Sequence, residues 1–234
     1  MAGGESGVAM FSPEDLLGAL NDVERKNAPA YLSARGEVRL LSTGPRVSIV
    51  GARQASHLGI KRAEKLARLL VGRGAIVVSG LAAGIDTAAL WGAIRAGGRA
   101  IGVLGNPLDV VLPGADLELR RTMEKSHLVV SQFPSGHPVL RSNFPRRNRT
   151  MALVSHATVI VEAADSSGSL SQGWEALRLG RPLFLMRSVV DDERTKWPQE
   201  MLHYGAQVLS SGSEDELFDL LPPAGELLPE RLAF

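Results

Sequence analysis

"VSIVGARQASHLGIKRAEKLARLLVGRGAIVVSG", residues 47–80, holds two short apolar runs on either side of one helical segment. Val47–Val50 and Ala75–Val78 are β-rich and apolar at successive positions, as in strands buried on both faces. Between them "GIKRAEKLARLLVGRG" carries apolar residues at helical spacing and ends on glycine, a helix with its stop signal. Strand, helix and strand in this order make a parallel crossover unit.

The same beat continues downstream. "IDTAALWGAIRAGG" (85–98) leads to "RAIGVLG" (99–105), "LELRRTMEK" (117–125) to "HLVVS" (127–131), and "RRNRTMALVS" (146–155) to "ATVIVEA" (157–163). "SQGWEALRLG" (171–180) leads to "RPLFLM" (181–186), and "SEDELFDLL" (213–221) opens on a capping-box pair, Ser213 and Glu216. Strands apolar on both faces alternating with helices predict a doubly wound α/β domain, a mostly parallel sheet with helices on both faces. This core is expected over residues 46–222. Residues 1–12 read as a flexible leader, 13–45 as an arm packed on the core, and 223–234 as a tail. Within the arm, Ser12 and Pro13 make an N-cap and first helical position.

The chain has 26 Lys+Arg against 25 Asp+Glu, so any case for a polyanionic partner rests on local clustering and not on net charge. The absence of cysteine excludes a disulfide framework and thiolate chemistry, and fits a cytoplasmic protein. The five histidines have no ligand spacing, so no metal site is expected. No export signal or membrane span is legible, so no membrane partner is expected.

In doubly wound sheets, ligands bind beyond the carboxyl ends of the strands, where loops enter helices. "GARQASHLG" (51–59) supplies Gly51 for a tight turn, Arg53 facing the crevice and Ser56 as a helix cap; its spacing is not that of a dinucleotide fingerprint. "SGLAAGID" (79–86) supplies Ser79, Gly80 and Gly84, and "GNPLDVVLPG" (105–114) is a further turn-rich lip. Ser167, Gly168 and Ser169 form a hydroxyl- and glycine-rich turn suited to phosphate.

"RSNFPRRNR" (141–149) puts Arg146, Arg147 and Arg149 at a predicted helix start, where the macrodipole disfavours cations by roughly 0.3–1 kcal/mol each. An anion would complete that arrangement, so the cluster is expected to form the basic wall of one phosphate-binding crevice. At 3.6 residues per turn, Arg146 and Arg149 share a face while Arg147 points about 100° away. Asp86, Glu162, Asp165 and Glu175 lie near strand ends without a nucleophile or base partner, so no catalytic group is assigned. Trp91 and Trp174 read as packing residues.

Taken in order, "SIVGAR", "VVSGLAAGID", "GVLGNPLDVVLP", "SQFPSGHP", "NFPRRNR" and "VEAADSSGSL" resemble the DprA/Smf family of DNA-processing proteins over residues 28–210. The resemblance implies an extended Rossmann-type domain that binds single-stranded DNA without an enzymatic reaction or a cofactor. It also implies a homodimer that hands the strand to the RecA recombinase during natural transformation. It places Arg53, Gly80, Gly84, Asn143, Arg146, Arg147, Asn148, Arg149, Ser167, Gly168 and Ser169 on the DNA, and with Gly51 and Ser79 from the strand-end loops these are the expected binding residues.

Typical members read "SGLARGIDxxAH"; here Ala83 and Leu90 replace the arginine and histidine, expected to remove a cation and a titratable group from the crevice. Long members add an N-terminal helical and a C-terminal winged-helix-like domain, neither of which is expected within these 234 residues. Two superfamily alternatives stay open, a nucleotide sensor and a LOG-type phosphoribohydrolase. The second would need Glu175 in place of a glutamate that Gln172 has replaced.

Overall fold

The computed structural model describes residues 9–223. Nine strands form one sheet: β1 (Ala9–Phe11), β2 (Leu32–Gly36), β3 (Arg46–Gly51), β4 (Ile76–Ser79), β5 (Ala100–Leu104), β6 (Leu128–Ser131), β7 (Ala157–Glu162), β8 (Leu183–Met186) and β9 (Gln207–Leu209). Their order across the sheet is β1-β2-β6-β5-β4-β3-β7-β8-β9. From β6 to β9 every pairing is parallel, whereas β1 and β2 add an antiparallel edge beyond β6.

Helices α1 (Pro13–Leu17) and α2 (Asp22–Asn27) precede β2, and α3 (His57–Gly72), α4 (Ile85–Arg95) and α5 (Leu117–Ser126) link β3 through β6. The chain then crosses back: α6 (Asn143–Val154) carries it from β6 to β7, on the far side of β3. After that, α7 (Ser169–Arg178), α8 (Arg187–Val190), α9 (Trp197–His203) and α10 (Glu214–Asp219) complete the winding.

Strand alternation sorts the core into two layers. Val47, Ile49 and Val77 face Ala63, Leu66 and Leu70 of α3 and Ala89 of α4, while Val50, Ile76 and Val78 face Met151 and Val154 of α6 and Met201 of α9. Helix α3 is set by its sequence at both ends. Ser56 Oγ accepts from Gly59 N at 2.9 Å, and the buried positions Ala63, Leu66, Ala67 and Leu70 follow helical spacing.

Residues 1–8 and 224–234, which hold most of the expected leader and tail, lie outside the described residues. Ala9–Phe11, inside the stretch assigned to the leader, pairs with β2, and β2 itself pairs with β6. The 13–45 segment is thus part of the sheet as well as a layer upon it. Ser12 caps α1 in a reciprocal capping box with Asp15. The box expected at Ser213 and Glu216 does not form: the Ser213 hydroxyl turns back to accept from Ser210 N at 3.0 Å.

Candidate nucleic-acid interface

The chain runs one way from β3 to β6 and then restarts from β7 on β3's other side, so the loops after β3 and β7 splay apart at the carboxyl edge. A cavity of about 540 Å³ opens there, lined by the loop after β3, the N-terminal half of α6 and the turn before α7. A second, of about 280 Å³, lies beside it under the loops after β4 and β5. Arg53, Phe144 and Arg147 line both.

Arg53 is exposed, with its guanidinium carbon 5.4 Å from the centroid of the Phe144 ring. Arg147 is buried and donates from Nη1 to Val103 O at 3.0 Å, while its Nε has no hydrogen-bond partner among the described residues. Its guanidinium lies across Gly80, beside Asp86. A Cβ on Gly80 would overlap that guanidinium and sit 2.6 Å from Asp86 Oδ2, so glycine is what admits both groups. Asp86 accepts from Gly80 N at 3.1 Å. Burial raises the Asp86 pKa, with Arg147 the main opposing influence; burial lowers that of Arg147, with Asp86 opposing and Arg53 adding to the shift.

Gly84 has φ of 81°, and its neighbour Ile85 N donates to Ala52 O at 3.2 Å. A Cβ on Gly51 would meet Ile85 Cγ1 at 2.6 Å. These two glycines therefore close the β3 and β4 loops onto each other and shape the rim from behind. Leu81, on the same rim, is the one non-glycine with positive φ among the described residues, at 56°, a strained backbone at the lip of the smaller cavity.

On the opposite lip, Ser167 Oγ accepts from Ala164 N at 2.9 Å, which closes the turn, and Gly168 O accepts from Asn148 Nδ2 at 3.0 Å, which ties the turn to α6. Ser169, the first residue of α7, lines the larger cavity with its hydroxyl buried and unpartnered among the described residues. The Ser169 hydroxyl and the Arg147 Nε–H are thus donors without a partner among the described residues, enclosed in the wall of this cavity.

Two of the residues expected on the ligand have their side chains turned into the fold. Ser79 is fully buried and donates to Ile49 O at 2.7 Å. Asn143 is fully buried, donating to Pro138 O at 3.0 Å and lying 3.3 Å from His137 Nε2, so it braces the loop into α6. That helix begins at Asn143, one turn ahead of the arginines. The dipole penalty, which fades within the first turn, therefore bears little on them.

The single basic wall is also divided: Arg147 faces the crevice, while Arg146 and Arg149 line a separate cavity of about 330 Å³ on the other side of α6. Arg146 lies 5.2 Å over the Phe133 ring, and Arg149 reaches Glu175 at 3.4 Å. Leu90 is fully buried in the α4 core, so the histidine it replaces would not have entered the crevice, whereas Ala83 does line the smaller cavity. Trp91 donates from Nε1 to Asp116 at 2.9 Å, and Trp174 packs edge-on against Tyr204.

Phe144 escaped the sequence reading. The available signal was its place three residues before Arg147 on one helix, a spacing that sets two side chains on one face.

Fold and site together define a Rossmann-like α/β domain with a cationic, partly aromatic crevice at its topological switch point. The chain belongs to the DNA recombination-mediator protein A family, which it matches over residues 13–220. It is 36% identical over 188 residues to the DNA processing protein DprA of Streptococcus pneumoniae, covering 80% of this chain and 66% of that protein. The protein Smf of Escherichia coli is 34% identical over 187 residues, of which this chain spans 50% of the length. The solved S. pneumoniae DprA structure superposes with a TM-score of 0.77 over 92% of this chain and 75% of that one, at 33% identity. That of Helicobacter pylori, described by its single-stranded DNA binding mode, gives 0.75 over 87% and 95%, at 25% identity.

Proposed function

We propose that the crevice binds single-stranded DNA, with Arg53 and Arg147 on the phosphates and Phe144 against a base. One observation carries this reading: Arg53, lying over the Phe144 ring, and Arg147 line the same two cavities, so that cations and an aromatic ring share one seam. The single-stranded DNA binding of the H. pylori relative supports it. The protein works by binding, as a cytoplasmic homodimer that passes the strand to a RecA recombinase. Among the described residues no helix is long and apolar enough to cross a membrane. Glu175, the carboxylate that hydrolysis would need, is held by Arg149 and Arg178 and does not line the crevice.

Fluorescence anisotropy with labelled oligothymidylate tests the reading. Binding weakens with salt at a log–log slope of about 0.7 per phosphate contacted, and Arg53→Ala lowers that slope by about 0.7 while leaving the melting temperature near wild type. No binding at low salt, or an unchanged slope in the variant, contradicts it.

The unpartnered Ser169 hydroxyl favours a second reading, a mononucleotide sensor, since the larger cavity is of the volume small ligands occupy. A mononucleotide that raises the melting temperature as strongly as an oligonucleotide does selects the sensor.

A further inference from the structure

We infer that a single strand leaving the crevice crosses the N-terminal turn of α6 and enters the cavity of Arg146 and Arg149, which is a second nucleic-acid subsite. This rests on the single-stranded DNA reading and adds a direction to it. Beyond the two cavities that share Arg53, Phe144 and Arg147, two routes differ in charge. One continues along the carboxyl edge of the sheet: Ala52, Gln54 and Ala164 are shared with the next cavity, which is lined by Glu162, Asp165 and Asp192 against Arg62 and Arg194. Arg194 is paired with Asp192. Setting that pair aside, a phosphate chain on this route meets two carboxylates, Glu162 and Asp165, and one cation, Arg62.

The other route turns over α6, where the chemistry is reversed. Among the described residues no Asp or Glu lines the Arg146–Arg149 cavity, and its polar and aromatic wall includes Tyr31, Gln132, Phe133 and His137. Arg146 is exposed and lies over the buried ring of Phe133, 5.0 Å from that of His137, so the half-buried rings of His137 and Tyr31 are the ones a base can reach. Flat rings beside cations are what unpaired bases and their phosphates engage. Arg149 is held from behind by Glu175, which fixes its position and leaves it 43% exposed.

The two grooves are separated by the body of one helix, about 10–12 Å. A strand of roughly 4 nucleotides fills one binding site of this kind, so only a longer strand reaches the second.

The test compares oligothymidylates of about 5 and about 20 nucleotides, lengths chosen to lie near and above a minimal site. In Arg146→Ala/Arg149→Ala the salt slope for the long strand falls by about 1.4, two phosphates' worth, and that for the short strand stays at the wild-type value. Arg146→Ala alone lowers the long-strand slope by about 0.7. Its side chain makes no hydrogen bond to the described residues, so this variant keeps the fold, and its melting temperature confirms that. Arg62→Ala, on the acidic route, leaves both slopes unchanged.

Equal losses on both lengths, no loss on the long strand, or a long-strand loss in Arg62→Ala each overturn the inference. Wild-type protein that binds neither length removes the single-stranded DNA reading itself, a result distinct from these.

Discussion

Three arginines are buried among the described residues, Arg46, Arg120 and Arg147, and two of them, Arg46 at the amino end of β3 and Arg147 beyond the carboxyl ends of β4 and β5, are used in opposite ways. Arg46 is largely spent within the fold. Its Nε donates to Val154 O at 2.6 Å and its Nη1 to Leu41 O, and its main-chain N donates to His156 Nδ1 at 2.9 Å, which leaves the proton of the neutral ring on Nε2. Arg147 has one carbonyl partner, a buried carboxyl nearby and an Nε with nothing to donate to. Burying a guanidinium is costly in either place. The first is compensated within the fold. The second has an Nε–H that the fold leaves unpaired, as it does those of Arg35 and Arg181, and its place in the crevice wall is what makes Arg147 the arginine proposed to bind.

The largest effect expected is from Arg147→Ala. It leaves Asp86 buried with its nearby cation gone, a change worth about 3 kcal/mol of stability, and it also removes a ligand contact. Urea unfolding should show the loss, and Asp86→Asn in the same chain should recover part of the stability but none of the DNA affinity. If stability and affinity return together, Arg147 is structural like Arg46, and the contrast between them fails.

Arg46→Ala comes next. Two carbonyls lose their donor, at a penalty of about 2 kcal/mol, and the protein that remains folded binds the oligonucleotide with the wild-type salt slope. A reduced slope would place Arg46 in the binding machinery, sixteen-odd ångströms of sheet notwithstanding, since a six-residue strand spans roughly that distance.

This division of labour was partly legible in the sequence. Strands apolar on both faces and helices at 3.6 spacing are local patterns, so the doubly wound sheet, its carboxyl edge and the loops at Gly51, Gly80 and Ser167 could all be located. The separation of Arg147 from Arg146 and Arg149 was implicit in helical geometry; that a second cavity waits on the far face was not, because it is built by Tyr31 and Phe133 from distant segments. Strand β2 was hidden by the turn signals around it, Asn27, Pro29 and Gly36, and its place depends on pairing with β6, far along the chain. Ser79 and Asn143 have the right chemistry for a ligand but donate to the backbone instead, and partner choice of that kind is decided by tertiary packing.

The smallest effect probes the structural arginine through its neighbour. Burial, and after it the charges of Arg46 and Arg181, hold the His156 pKa down to about 3, against an ordinary 6.5. The unfolded chain therefore binds a proton at this residue as pH falls through 6.5, while the folded chain does so only near 3. Stability contributed by the neutral imidazole is full above 6.5 and is lost progressively below it.

His156→Gln keeps an acceptor for Arg46 N but cannot titrate. Between pH 7 and 5.5, above the range where carboxylates respond, wild-type melting temperature should fall more steeply than that of the variant, with oligonucleotide affinity at pH 7 the same in both. Parallel slopes would mean that His156 charges in place beside Arg46. The amino-end arginine would then be no better compensated than Arg147, and the distinction between a spent and an unspent guanidinium would lose its structural half.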